Sequence, residues 1–402
     1  MLLIPLLLIV WLTSCKVSYA IHEDVRSAPL EIIYYSTSTM TPTAVPTPEP
    51  TPTPVTVHLT ATLWEEPPLV PILMYHRFIP QAGEYPTPYK IYLSEFDEHL
   101  AALYDAGFSL VSLSDWLEGT IHIPEGRRPL IITIDDLFYA DQISLDENGQ
   151  PASYSGVGRL WQFYQEHPDF NFHAALFYNF GDKSFANRYA NGSFSVEDGW
   201  RKRRAETIAW CIEHGAIPMN HFYSHPYLDK LSPAEIQWEL EENDRALREA
   251  LALVEKEALA DVLPNILALP YVVWPATETG KQVLYDYVSP EGAPVTAILE
   301  GDYADNAKLS PSPYSPNFNP WHLPRINATW DAIYKILEMS EDTPRASQCD
   351  LGNVNVDPSL YANHVMNAIL ARVDDGRCPQ GLYIVGELAF QADENGIVQL
   401  SP

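Results

Sequence analysis

Basic residues are scarce in this chain: 24 Lys and Arg stand against 53 Asp and Glu, a formal net charge of -29 at pH 7. A surface of that sign repels phosphate polymers and anionic lipid, which argues against a nucleic-acid partner and against any membrane contact other than a covalent one. Cysteine is also sparse. Four residues in 402 include no Cys-x-x-Cys pair, so a zinc site of that type is excluded. What is present is a chain with 46% hydrophobic and 12% aromatic residues, enough to bury a substantial core.

The apolar stretch at residues 2–12 has the length of an export-signal core and is short for spanning a bilayer, although no Lys or Arg precedes it. Directly after it, Leu12-Thr13-Ser14-Cys15 resembles a bacterial lipobox, with Cys15 as the lipidated residue. Ordinary cleavage after Ser18-Tyr19-Ala20 is the alternative. Residues 1–20 are therefore expected to be an export signal, and the protein a cell-surface lipoprotein or a secreted one. From 41 to 54 proline recurs at nearly every second position, which removes backbone donors and enforces polyproline II. Residues 21–67 are expected to be a disordered Thr/Pro-rich stalk, its proline-rich part about 40 Å long at about 3.1 Å per residue. In an oxidising compartment Cys349 and Cys378 could bridge the C-terminal segment, leaving Cys211 a buried thiol.

After the stalk, apolar β-type runs alternate with helix-patterned segments. Residues 69–76, 108–113, 129–136, 173–180 and 216–219 read as strands; 94–107, 114–119, 157–167, 204–215 and 232–259 read as helices. The last helix opens with Ser232-Pro233. Such alternation favours a parallel sheet or barrel, with chemistry at the C-terminal ends of the strands. His76, Asp135-Asp136, His221 and Pro270-Tyr271 each follow an apolar run. Beyond residue 335, Asn395-Gly396 marks a hairpin between 388–392 and 397–400.

Two adjacent carboxylates at the end of an apolar run pack poorly but build a site well. One neutralised by a cation leaves the other free to accept a proton, whereas the structural reading is a helix cap following the strand. In Asn220-His221-Phe222-Tyr223-Ser224-His225 the two imidazoles are four residues apart. On a helical turn their Cβ atoms would lie about 5–6 Å apart. Pro226 biases His225 away from helix, so a tight loop is equally open. Two His and one carboxylate leave a position for water and suit Zn²⁺, with Co²⁺ or Ni²⁺ as alternatives, better than Mg²⁺ or Ca²⁺.

Together these segments resemble the first two motifs of the polysaccharide deacetylase family, the NodB-homology or family-4 carbohydrate esterases, which carry a Thr-Phe-Asp-Asp-Gly and a His-x-x-x-His stretch. Leu267-Ala268-Leu269-Pro270-Tyr271 resembles the third motif, and Leu323-Pro324-Arg325-Ile326 a late element of the poly-N-acetylglucosamine deacetylase branch. The resemblance covers 68–335 as a catalytic domain and implies an α/β fold, a distorted (β/α) barrel of about seven strands. Residues 336–402 are left as a C-terminal extension of unknown role. The resemblance further implies one divalent metal on Asp136, His221 and His225, with Asp135 as base and the Tyr271 N–H as oxyanion donor. It implies His76 as the general acid, with His322 of Trp321-His322 as the fallback. Trp321 and Arg325 are substrate-binding candidates, Arg325 alternatively orienting a carboxylate or being a surface or structural Arg. Tyr303, Tyr314, Phe318 and Trp321 would stack on sugar rings or simply pack their loop. Three positions depart from the motifs: Ile134 replaces the usual Phe, and Leu137 and Val272 replace glycines.

The expected activity is that of an exported metal-dependent hydrolase removing N-acetyl groups from a polysaccharide containing N-acetylglucosamine, such as a cell-wall glycan. The alternative is a carbohydrate-binding pseudoenzyme on the same scaffold, impaired through Leu137 and Val272.

Overall fold

Val55–Trp64 carries Val, Val, Leu, Ala and Leu at alternate positions with Thr and His between them, the two-residue period of a strand with one buried face. This segment is the strand β1, so the stalk expected to reach residue 67 must end before it. The prolines that enforce an open chain stop at Pro54, and the alternation takes over from there. The computed structural model of the chain describes residues 55–80, 85–137, 139–181, 199–301, 308–340 and 343–401. The expected export signal, Cys15, the proline-rich stalk and Tyr303 lie outside them.

The strands that follow are β2 (Ile72–Tyr75), β3 (Arg77–Ile79), β4 (Lys90–Tyr92), β5 (Phe108–Leu110), β6 (Arg128–Leu137), β7 (Ala174–Tyr178), β8 (Ala216–Asn220), β9 (Ile266–Ala268), β10 (Ala297–Leu299) and β11 (Ile326–Asn327). The chain ends with β12 (Ser347–Val356), β13 (Gly381–Val385), β14 (Leu388–Asp393) and β15 (Gly396–Leu400). Seven of them form one parallel sheet in the order β10-β9-β8-β7-β6-β2-β11, with β5 added beside the start of β6. The two edges approach each other: Leu323, just ahead of β11, bridges Leu299 of β10, and its N–H donates to the Ile298 carbonyl at 3.1 Å. The result is the distorted seven-stranded barrel that the resemblance implies.

The two-residue period sorts the barrel's side chains. Ile131, Ala175, Phe177 and Met219 belong to an inner cluster, whereas Ile132, Ile134, Leu176 and Tyr178 join the core under the helices. Continuing the inner row along each strand brings Thr133 and Asp135, Asn179, and His221 to its C-terminal end. Strands buried on both faces read as unbroken apolar runs, which is why β6 is so legible.

The helix expected over 232–259 is shorter, Pro233–Ala252. Ser232 caps its start in a reciprocal box with Glu235; at the other end Glu255, at φ 58, turns the chain left-handed, and a 3-10 turn, Glu257–Val262, follows. No helix among the described residues is long and apolar enough to cross a membrane.

β1 pairs antiparallel with β12 and β13, in a five-stranded sheet of order β12-β1-β13-β14-β15. The helix Tyr361–Asp374 buries Val365 and Ile369 on one face of that sheet. Trp64, Leu382, Ile384 and Ala389 join the barrel cluster containing Val70, Ile131, Ile266 and Ala297. Gly126 N–H donates to the Ala346 carbonyl at 2.8 Å, two residues before β6 begins. The sheet thus closes the barrel at the N-terminal ends of its strands. The boundary expected at residue 335 falls inside the helix Trp330–Ser340, and the folded C-terminal part recruits β1 from ahead of the barrel. The expected hairpin is β14–β15, and Cys349 and Cys378 are bonded as a disulfide. Cys211 is buried, and burial pushes its thiol up to about 12.

Candidate metal centre and active site

The β6 strand does not stop at its carboxylates. Ile134 pairs with Leu176 and Leu137 with Tyr178, so β6 spends three steps where β7 spends two. The extra residue is a bulge, a device that re-aims side chains beside sites. Asp136 sits within it at φ 56. Leu137, which replaces the motif's glycine, is fully buried and resumes the pairing; it is not at a left-handed position, so nothing in its backbone demands glycine.

His221 and His225 lie in a loop and not on a helical turn: Phe222 and His225 have φ values of 62 and 53. Fully buried Phe222 anchors the loop, and Asn220 shapes it, accepting from Phe222 N–H at 2.9 Å and donating to Asp244 at 2.7 Å. Glu239, on the helix Pro233–Ala252, accepts from both the N–H and the hydroxyl of Ser224, at 2.7 and 2.6 Å. One turn on, Asn243 donates to the carbonyl of Tyr178 and to the side chain of Asn220, both at 2.8 Å. The helix therefore clamps the loop at both ends through polar groups, an arrangement whose members lie 15 to 24 residues apart in sequence.

These elements bring the three expected ligands together. One donor atom each from Asp136, His221 and His225 lies within 4.8 Å of the others. His225 Nε2 is 3.2 Å and His221 Nε2 3.7 Å from Asp136 Oδ1. Atoms about 2 Å from a common ion in tetrahedral array stand about 3–4 Å apart, so the set fits a divalent metal. His221 Nδ1 lies 2.8 Å from the Ala268 carbonyl, which fixes its proton there and turns Nε2 to the cluster. Burial lowers the His221 pKa to about 4 despite Asp135 nearby, keeping the ring neutral as a metal ligand must be. Asn179, which the motifs did not point to, donates to Asp136 Oδ1 at 3.2 Å.

Asp135 is set apart from its neighbour. It is almost completely buried, and Arg325 Nη1 donates to its Oδ1 at 2.6 Å while Arg325 Nε holds the carbonyl of Glu300 at 2.9 Å. Burial would raise this carboxyl, yet Arg325 and then His221 hold it down at about 2. The substrate-binding expectation for Arg325 is thereby corrected: only 1% exposed, it orients a carboxylate and does not reach the surface. Gln142, also absent from the motifs, donates to the carbonyls of Asp135 and His76 at 2.7 and 2.5 Å and joins the two strand ends.

His76 is half-buried, and burial lowers its pKa, opposed by Asp135 and Asp136. Its Nδ1 is buried with no hydrogen-bond partner among the described residues, and the same holds for Asn179 Oδ1. Its ring meets Tyr89 edge to face at 5.0 Å. Tyr271 lies 4.3 Å from the His225 ring and stacks on Tyr227 at 4.0 Å. Both Tyr271 and Val272 are left-handed, at φ 53 and 58. Of seven described non-glycine residues with positive φ, five belong to this site. Strain concentrated in this way marks a site rather than a scaffold.

The remaining candidates stand elsewhere. Trp321 is half-buried edge-on against Tyr285 at 5.2 Å, and His322 Nδ1 lies 2.8 Å from Glu300 beside Trp274. Tyr314 donates to the Gly119 carbonyl and Phe318 packs on Trp116, so these two support the core and are not sugar platforms.

No protein-family model matches the chain, and no curated protein matches it. Solved structures do. The deacetylase PplD of Streptococcus pyogenes, in complex with acetate, is 16% identical over 65% of this chain and 92% of its own, with a TM-score of 0.40. IcaB from Ammonifex degensii is 18% identical over 69% of this chain and all of its own, at 0.42. BC0361, a polysaccharide deacetylase from Bacillus cereus, is 14% identical over 67% and 68%, also at 0.42. Likeness at this level leaves activity open, because one scaffold hosts many chemistries. Whatever this chain does must be argued from its own side chains.

Proposed function

We propose that the protein is a metal-dependent hydrolase that removes N-acetyl groups from an N-acetylglucosamine-containing polysaccharide. One observation carries the reading: Asp136, His221 and His225 converge as a ligand set while Asp135, held ionised by Arg325, stands beside them without joining it. A divalent metal bound there, Zn²⁺ or alternatively Co²⁺ or Ni²⁺, would supply Lewis-acid polarisation of an amide carbonyl and acidification of a water.

The chain's own residues then divide the remaining work. Asp135, ionised across the neutral range, accepts a proton from the attacking water. The Tyr271 N–H, on its left-handed turn, steadies the oxyanion as the carbonyl becomes tetrahedral. His76, in its protonated form, gives a proton to the departing amine; Asp135 and Asp136 favour that form against the burial that lowers its pKa, and its unpartnered Nδ1 leaves it a hydrogen bond to make. Acetate and a free amine are the products. The disulfide supports an oxidising compartment and so an exported protein, lipid-anchored at Cys15 or secreted. A glycan substrate, with no nucleic acid and no membrane contact beyond the anchor, accords with the net charge of -29.

The test is acetate release from N-acetylglucosamine oligomers, with and without chelator and with Zn²⁺ or Co²⁺ restored. Release that needs metal and falls at least about 100-fold in Asp135→Asn, with metal content unchanged, is expected. Tight metal binding without release from any oligomer would favour the carbohydrate-binding pseudoenzyme. The left-handed, β-branched Val272 is the observation on its side.

A further inference from the structure

The candidate site is flanked by exposed aromatic rings that its chemistry does not use. Tyr89 is 41% exposed and meets His76 edge to face at 5.0 Å. Beside His225, Tyr227 is 53% exposed and lies parallel to Tyr271 at 4.0 Å and 7°. Tyr271 covers one face of the Tyr227 ring, and no ring contact covers the other among the described residues. His76 follows β2 and His225 the loop after β8, on either side of β6 with its Asp135 and Asp136, so the two exposed tyrosines stand against groups on the two sides of the ligand cluster.

Both rings are held by rigid backbone. Tyr89 follows Pro86 and Pro88; its carbonyl accepts from Arg77 N–H at 3.1 Å, and Asn327 ties the Pro88 carbonyl at 2.8 Å. Tyr227 follows Pro226, accepts from Lys230 N–H at 3.0 Å, and precedes fully buried Leu228. A large apolar ring costs free energy when left in water, and a preordered one loses little entropy on meeting a ligand. A pyranose offers a matching surface, an apolar face of C–H groups with hydroxyls at its rim, and Tyr supplies both a ring face and a hydroxyl.

We propose that Tyr89 and Tyr227 form two sugar subsites, one on each flank of the metal centre, so that the site takes a glycan chain of at least three units. The reacting unit lies at the centre and its neighbours lie against the two tyrosines. This rests on the proposed deacetylase reading and adds to it the requirement for an extended, internally bound polymer.

Asp135→Asn protein loaded with Zn²⁺ separates binding from turnover. Calorimetric titration with N-acetylglucosamine oligomers of one to six units then reads the subsites directly. Affinity is expected to rise about tenfold or more from one unit to three. Tyr89→Ala and Tyr227→Ala are each expected to cut the trimer-to-monomer affinity ratio about five- to tenfold, and the corresponding Phe variants to keep most of it. Melting temperatures check that the exposed substitutions leave the fold intact. Affinity independent of length, or a ratio unmoved by both alanines, overturns the subsites while leaving the deacetylase standing. Parent protein that binds no oligomer and releases no acetate overturns both together.

Discussion

The mouth of the barrel and the sheet that closes its other end are built from the same alternating strands, yet their backbones differ. At the mouth Asp136, Phe222, His225, Tyr271 and Val272 are all left-handed, the conformation that L side chains avoid. In the closing sheet and its loops every described positive-φ residue is a glycine: Gly352, Gly376, Gly381, Gly386 and Gly396. Gly381 shows why, since a Cβ there would meet the Trp64 carbonyl at 2.3 Å. The sheet is relaxed and crosslinked, the mouth is strained and polar. Strain of about 1–3 kcal/mol per residue persists only where surrounding structure holds it, and at the mouth the helix Pro233–Ala252 does so through Glu239, Asn243 and Asp244.

If that division is right, damage to the sheet should cost stability and damage to the mouth should cost metal and turnover. The largest effect is expected from the sheet: replacing Cys349 and Cys378 by serine opens a loop closed across 29 residues and should cost about 3–4 kcal/mol in denaturant unfolding. Metal affinity of the folded fraction should not move. Conversely, Asn220→Ala removes the donor to Asp244 and the acceptor for Phe222 N–H, and should weaken Zn²⁺ binding about 10- to 100-fold by competition with a chelator. Equal loss of metal from both variants would erase the distinction.

A smaller effect separates two carboxylates within the mouth region. Arg325 holds Asp135 at about 2, below the unfolded value near 3.9, so its contribution to stability is present above about pH 4 and is lost as pH falls through 2. Asp244 has no cation beside it among the described residues; burial pushes it up to about 6 against the donors Tyr287, Tyr178 and Asn220. Its contribution has the opposite sign, present below about pH 4 and lost as pH rises through 6. Unfolding measured from pH 3 to 8 should therefore show a decline between pH 4 and 6, on the order of 1–2 kcal/mol, that Asp244→Asn removes. The smallest change is Val272→Gly, which relieves a β-branched residue at φ 58 and should alter stability by about 1 kcal/mol or less, with any gain in acetate release read against that. A marked loss of stability would mean that Val272 packing against Gly301 outweighs the strain.

Much of this was legible in the residues. The apolar run into Asp135-Asp136 and the paired imidazoles located the site, and Asn395-Gly396 the last hairpin. Less visible was β1: its alternation starts one residue after a proline-rich tract, and its partners lie some 290 residues away, so a reading by local composition absorbs it into the stalk. The bulge at Asp136 left no signal either, because Leu137 stands where a glycine would have announced it. Arg325 stood out only through the resemblance of Leu323-Pro324-Arg325-Ile326 to a late motif, which left its partner open; Asp135, 190 residues earlier, draws it inward. Asn179, Gln142 and Glu239 act through contacts between segments, which periodicity does not report.

The most direct test is calorimetric titration of metal-free protein with Zn²⁺ beside His225→Ala. The account predicts one tight site per chain in the parent and its loss in the variant, with the fold retained. No stoichiometric binding, or binding that survives removal of His225, would contradict the metal centre and every role assigned around it.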